Sequence, residues 1–302
     1  MKKVLTATIG IPAHNEEANI GILLNSIISQ KIDRNYTLQK IIVSCDGCTD
    51  KTAQVVRDYS KKDSRIIVQN DGQRIGQIGR LNKLYKTVKE DVFITFDADT
   101  TLGNDMVVSE ILRCFNDPQV MLVGGNDTPL AGTTLISRIG VTWVSAWYQM
   151  RSRINNGDTV HNHKGCASAA RTTFLRTISI PPEVIANDDF LYFSNLTNGY
   201  KFKFAEKAIV YYKIPSNLNE YITQTTRFIS SHEKIANQFG QWVYGYYQVP
   251  VINKINGIFI TFLRHPILVS LGIFLQVWQR LAKSYYGHNS KSVFWQEIRS
   301  SK

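Results

Sequence analysis

Five short apolar runs, each followed by a polar turn, constrain this chain more than any other feature. They occupy 6–11, 40–44, 65–68, 92–96 and 120–123. Between them apolar residues recur at helical spacing, first at Ile20, Leu23, Leu24, Ile27 and Ile28, then at Val55, Val56 and Tyr59, then at Leu81, Leu84 and Val88. A parallel strand pair needs a crossover long enough to hold a helix, so the alternation predicts an α/β fold with a Rossmann-like, mostly parallel central sheet flanked by helices. At 302 residues and 43% hydrophobic the chain can bury a proper core, and 20% charged residues without a biased tract exclude a disordered or fibrous class.

In open sheets of this kind ligands collect beyond the carboxyl ends of the strands. The polar segments there are 13–17, 46–50, 71–79 and 97–100, and all four carry acids. Asp97, Ala98 and Asp99 place two carboxylates at the end of a hydrophobic strand, a costly arrangement unless positive charge lies near. Mg2+ or Mn2+ would relieve it and fill its remaining positions with water and phosphate oxygens. An Asp-x-Asp triplet alone also suits a surface turn. Pro12, Ala13, His14, Asn15, Glu16 and Glu17 follow the first strand, where Asn15 or Asn19 could equally cap a helix. Cys45, Asp46, Gly47, Cys48, Thr49 and Asp50 follow the second; Asp46 could accept hydrogen bonds from a base or ribose, or simply shape a turn.

Together and in this order, the segments resemble the family 2 glycosyltransferases of the GT-A fold, with their P-x-x-N-E, D-G-S-T-D-like and Asp-x-Asp motifs. Gly76, Gln77, Ile78, Gly79, Arg80, Leu81 and Asn82 look like the family's G-K-x-x-A-L-N segment near the diphosphate. Asn187, Asp188 and Asp189, with Phe190, Leu191 and then Asn198, Gly199 and Tyr200, look like its E-D-x-x-L and L-x-x-x-G-Y pattern. Gln224, Thr225, Thr226, Arg227 and Phe228 resemble its Q-x-x-R-W motif. Gln77 stands where the family has Lys, Asp188 where it has Glu, and Phe228 where it has Trp; the last weakens any claim to processive polymerisation.

The resemblance implies a nucleotide-sugar donor, with UDP favoured, and a single inverting displacement. Pro12, Ala13, Asn15, Glu16 and Asp46 would hold the nucleoside, and Gly76, Arg80 and Asn82 would lie near the diphosphate. Asp97 would sit by the ribose and metal, with Ala98 beside it and Asp99 on the metal. Asp189 would be the general base next to Asp188, with Gln224 and Arg227 near the acceptor or diphosphate. Without the resemblance, Asp189 is a helix N-terminal acid and the last two lie on an exposed helix face. The acceptor would be a glycan or a lipid-linked molecule.

Other segments carry less. A helix is expected over 135–153. The polar loop 155–164, with His161 and His163, reads as solvated, with a metal or acceptor contact as the alternative. The small residues of 165–170 suit close packing or a ligand's approach. Cys45 and Cys48 have a redox or half-zinc spacing, but four scattered cysteines supply no second pair and no disulfide framework. The apolar stretch 255–278 is interrupted by Asn256, Arg264, His265 and Pro266, so an interfacial helix or re-entrant hairpin fits better than a membrane span, with an ordinary buried hairpin as the alternative.

The net charge of +11 points to anionic company, and the stretch from Lys254 to Lys302 carries between its two lysine ends Arg264, Arg280, Lys283, Lys291 and Arg299 against one acid, Glu297. The expected domains are a catalytic domain over 1–240, with a nucleotide half at 1–130 and an acceptor half at 131–240, and a basic helical extension over 241–302 suited to membrane contact. No signal-peptide stretch follows Met1, so the expected location is the cytoplasmic face of a membrane. Glycines for a dinucleotide fold are missing after the first strand. The rival reading is a basic membrane- or nucleic-acid-binding protein on an inactive scaffold; retained Asp97, Asp99 and Asp189 argue against it, and no nucleic-acid partner is expected.

Overall fold

The computed structural model describes residues 4–285. Its strands are β1 (Leu5–Ala13), β2 (Tyr36–Cys45), β3 (Ile66–Gln69), β4 (Val92–Phe96), β5 (Thr101–Leu102), β6 (Val120–Pro129), β7 (Ala167–Arg171) and β8 (Lys201–Tyr212). They form one eight-stranded sheet in the order β3-β2-β1-β4-β7-β6-β8-β5. β1 pairs in parallel with β2 and β4, and β2 with β3. β7 lies antiparallel between β4 and β6, and β5 pairs antiparallel with β8. Because β4 and β6 both run against β7, the strands β1, β2, β3, β4 and β6 share one direction, as the strand and helix alternation predicts.

Helices α1 (Ile20–Ile28), α2 (Thr52–Ser60), α3 (Gly76–Thr87), α4 (Val107–Cys114), α5 (Leu135–Arg151), α6 (Thr172–Leu175) and α7 (Asn187–Thr197) follow in chain order, then α8 (Leu218–Phe239), α9 (Val243–Tyr246), α10 (Val251–Arg264) and α11 (Pro266–Tyr285). Ile20, Leu23, Leu24 and Ile27 turn one face of α1 onto Ile9, Ile11 and Ile94 of the sheet in a single core. All five residues of β4 are buried, which is why that strand reads as an unbroken apolar run. Gly10 leaves room for the Phe93 ring, into which any added Cβ would project.

Three strands are not among the expected runs: the two-residue β5, and β7 and β8. β7 is the small-residue run, built of alanine and serine because it is enclosed between two neighbours, and it lacks the β-branched residues that mark a strand. β8 alternates Lys201, Phe202, Lys203 and Phe204 at its start, half-exposed as an outer strand should be. Gly199, with φ of 70°, makes the left-handed turn from α7 into it.

The described residues divide into two compact units, 4–127 with 162–212, which holds nearly all of the sheet, and 128–161 with 213–285. In the second, α10 and α11 form a hairpin broken at His265 and Pro266, and both helices pack on α5. Gly257 brings α10 close to α5, since a Cβ there would stand 2.8 Å from the Ala146 carbonyl oxygen. Among the described residues no helix is long and apolar enough to cross a membrane.

Candidate active site

The turns after β1 and β2 are laced together. His14 Nδ1–H donates to the Asp46 carbonyl oxygen at 2.6 Å. Asn15 sits at φ of 52°, a left-handed conformation that asparagine tolerates, and its Oδ1 accepts from the Thr49 amide at 2.8 Å. The Glu16 amide donates to Thr52 Oγ1 at 2.7 Å, and the Glu16 carboxylate accepts from the Asn19 side chain at 2.9 Å. Pro12 and Ala13 lie at the end of β1, Ala13 opposite Cys45. Asn15 and Glu16 thus tie down the turn after β1 with their own side chains.

Asp46 organises the next layer. Its carboxylate accepts from the amides of Ile75 at 2.7 Å and Gly76 at 3.0 Å, and from Arg80 Nε at 3.2 Å. This places a negative charge on the N-terminus of α3, where the orphan amides and the helix dipole both favour it. Arg80 is 2% exposed and also grips Asp71 through both terminal nitrogens, at 3.0 and 2.7 Å. The guanidinium holds the Asp71 carboxyl well below its ordinary range. Asn82 spends both amide atoms on the backbone of Ile180, at 2.8 and 3.0 Å, tying α3 to the segment ahead of α7.

Cys48 Sγ donates to the Ala13 carbonyl oxygen at 3.3 Å; the neighbouring Cys45 thiol brings Cys48 down to about 7, while Cys48 and burial push Cys45 up. None of the four cysteines is in a disulfide.

At the end of β4, Ala98 turns into the core while Asp97 and Asp99 stay half-exposed. Thr100 closes the turn by donating its amide and hydroxyl to the Asp97 carbonyl oxygen, at 3.2 and 2.7 Å. Gln77, in the family's lysine position, donates to Asp97 Oδ1 at 3.0 Å, so an uncharged donor orients this acid. A Cβ at Gly165 would lie 3.6 Å from Asp97 Oδ2 and 4.0 Å from Asn187 Oδ1. The end of β4 and the first turn of α7 therefore meet over one glycine. Asp188 and the buried Asp189 stand in that turn.

Among the described residues no group of three or more His, Cys, Asp or Glu side chains gathers to hold a metal ion. The donor set is two half-exposed carboxylates on one turn. That suits a hard divalent cation that takes its other oxygens from substrate phosphates and water, and does not suit a closed zinc site.

The loop expected to be solvated is exposed only at Asn155, Asn156 and Asp158, and its second half is mostly buried: His161 is 7% exposed and His163 fully buried. Its polar residues find partners within the fold, with His161 Nε2 3.2 Å from the Tyr247 carbonyl oxygen and the ring edge-on to Trp147. Gln224 lies half-buried on α8, in the second unit, and the side chain of Arg227 lies outside the described residues. Asp71, Gly165 and Ser168 are not among the expected site residues, although Asp71 opens the strand-end segment 71–79 and Gly165 and Ser168 lie in the small-residue run; the sequence reads His163 as solvated, with a metal or acceptor contact as the alternative.

The model of glycosyl transferase family 2 matches residues 8–177. The chain is 23% identical over 245 residues to the probable glycosyltransferase YdaM of Bacillus subtilis, covering 79% of this chain and 58% of that protein. It is 22% identical over 235 residues to the poly-beta-1,6-N-acetyl-D-glucosamine synthase of Staphylococcus aureus, covering 76% and 55%. It thus spans a little over half the length of these relatives. Among solved structures, the mannosyltransferase PcManGT of Pyrobaculum calidifontis, in complex with GDP-Man and Mn2+, superposes with a TM-score of 0.61 at 17% identity over 94% of this chain and 76% of that one. Residues 1–349 of S. aureus TarS superpose with a TM-score of 0.53 at 19% identity over 74% and 64%. These structures share the GT-A fold, and the matched family segment runs through both laced turns, the acid pair and β7. The chain belongs to glycosyl transferase family 2.

Proposed function

We propose that this protein transfers a sugar from a nucleoside diphosphate donor to a hydroxyl or phosphate group of a glycan or lipid-linked acceptor, in one inverting displacement. The observation that carries the reading is the meeting of Asp97 and the first turn of α7 over Gly165. It supports a reading in which the donor-side acid pair lies near the helix turn that carries a second acid, Asp189, able to serve the nucleophile. TarS has been solved with UDP-GlcNAc and PcManGT with GDP-Man and Mn2+, which supports a nucleotide sugar here, with UDP the favoured base.

In this reading the laced turns and Asp46 form the wall against the nucleoside, and Gly76 with Arg80 hold the start of α3 toward the diphosphate. Mg2+ or Mn2+ on Asp97 and Asp99, when bound, would neutralise charge on the departing diphosphate. Gln77 keeps the Asp97 carboxylate oriented without adding a charge of its own. Asp189 takes the proton of the acceptor hydroxyl as general base. Gln224 and Arg227 serve the acceptor side.

The test is thermal stabilisation of the chain by a panel of nucleotide sugars with Mn2+, followed by turnover. Asp99→Asn should lose the Mn2+-dependent stabilisation. Asp189→Asn should keep it and lose about a thousandfold in transfer. Wild-type turnover by Asp189→Asn would remove the base from the mechanism.

The hairpin of α10 and α11 supports contact with an anionic membrane surface. Ile255, Phe259 and Leu263 recur every fourth residue on α10, and Ile267, Phe274 and Trp278 continue along α11, each between 41% and 74% exposed. Over 251–278 the charged residues are Lys254 and Arg264, with no acid, a pattern that suits an interfacial helix pair at a cytoplasmic leaflet.

A further inference from the structure

His163 is fully buried, with Nδ1 2.8 Å from the Asp188 carbonyl oxygen and Nε2 2.7 Å from Ser168 Oγ. A carbonyl oxygen only accepts, so Nδ1 carries the proton, and Nε2 of the neutral ring accepts from the serine hydroxyl. Burial pushes the ring down to about 4, against the pull of Asp188, which keeps it neutral at physiological pH. Edge-on contact with Phe202 of β8, 5.8 Å between ring centres, sets the plane. Both nitrogens are engaged, which leaves neither for a metal or an acceptor sugar.

The partners of the ring stand on different elements. Ser168 lies in β7 opposite Thr95 of β4, two residues ahead of Asp97. The carbonyl that Nδ1–H holds belongs to the first turn of α7, next to Asp189. The imidazole therefore spans from the strand beside the acid pair to the turn that carries the base.

We propose that His163, together with Ser168, is a positioning residue for the transfer: a neutral strut that holds Asp189 at a set distance from Asp97 and Asp99. This rests on the assignment of Asp189 as general base. A displacement of about 1 Å between reacting groups costs on the order of a hundredfold in rate, so such a strut acts on turnover and not on donor affinity.

The experiment uses the full chain with Mn2+ and whichever of UDP-GlcNAc or GDP-mannose stabilises the wild type, and reads release of the nucleoside diphosphate. His163→Leu should lower kcat by about a hundredfold and change donor Kd by less than about twofold. His163→Asn, whose amide N–H stands where Nδ1–H stood, should recover about tenfold of that loss. Ser168→Ala should lower kcat by about fivefold. In the unliganded protein, amide exchange across 187–191 should rise by about tenfold in His163→Leu.

A ring that only fills space would predict equal losses in kcat and donor binding, with Asn no better than Leu, and that result overturns the proposal. Unchanged kcat or unchanged exchange in His163→Leu overturns it as well. Should that variant fail to fold, an unchanged kcat in Ser168→Ala does the same. An inactive Asp189→Asn beside an undisturbed His163→Leu refutes the strut and spares the base, whereas an active Asp189→Asn refutes the base assignment and the strut with it.

Discussion

Burial and a partner pull the carboxyl of Glu90 in opposite directions, and the partner wins. Its side chain is 5% exposed, which by itself would push the carboxyl upward, yet the Lys40 ammonium at 2.8 Å and the Lys89 amide at 3.1 Å bring it from an ordinary 4.5 to about 2. A carboxylate lowered in the folded state stabilises the fold above its unfolded pKa, and that contribution is lost as pH falls toward the folded one. The shift corresponds to roughly 3 kcal/mol. Between about pH 5 and pH 2 the wild-type Tm should therefore fall more steeply than that of Glu90→Gln; parallel slopes would show that the ion pair carries no linkage. Nothing local marks Glu90 or His163 as special. Their character comes from tertiary partners, Lys40 fifty residues away for one and, for the other, Asp188 twenty-five residues away together with the nearer Ser168.

At the scale of elements, α3 shows a helix start supplied from elsewhere. Its N-cap residue Ile75 makes no side-chain cap, and the carboxylate of Asp46 at the end of β2 takes the amides of Ile75 and Gly76 instead. Arg80 one turn later closes the same carboxylate in a buried pair. Arg80→Met should cost about 3 kcal/mol in urea unfolding, because it removes most of the charge balance from a buried acid. Combining it with Asp46→Asn should cost less than the two single losses added together, since the partners couple. Strict additivity would mean that the pair does not act as a unit. The motif glycine and arginine of this segment were legible in the sequence, but the sharing of Asp46 between helix start and guanidinium was not. β7 escaped for a related reason: alanine and serine carry no strand signal until two flanking strands enclose them.

At the scale of the whole molecule, the apolar faces of α10 and α11 are the feature that a membrane reading must explain. The wild-type chain should sediment with vesicles rich in phosphatidylserine and less with phosphatidylcholine vesicles, and Phe259→Glu with Phe274→Glu should abolish this while leaving the melting temperature within a few degrees. Sedimentation unaffected by the double variant would refute contact through this face. The family and the α/β architecture were determined by the sequence alone, because strand and helix periods and the acids of strand-end turns are local properties read in chain order. That Asp97 meets the turn carrying Asp189, that Gln77 orients Asp97, and that His163 is buried instead of solvated were decided only by the tertiary structure. Each of these depends on packing between distant segments, chiefly the insertion of β7 between β4 and β6, and no local period encodes which segments will pair.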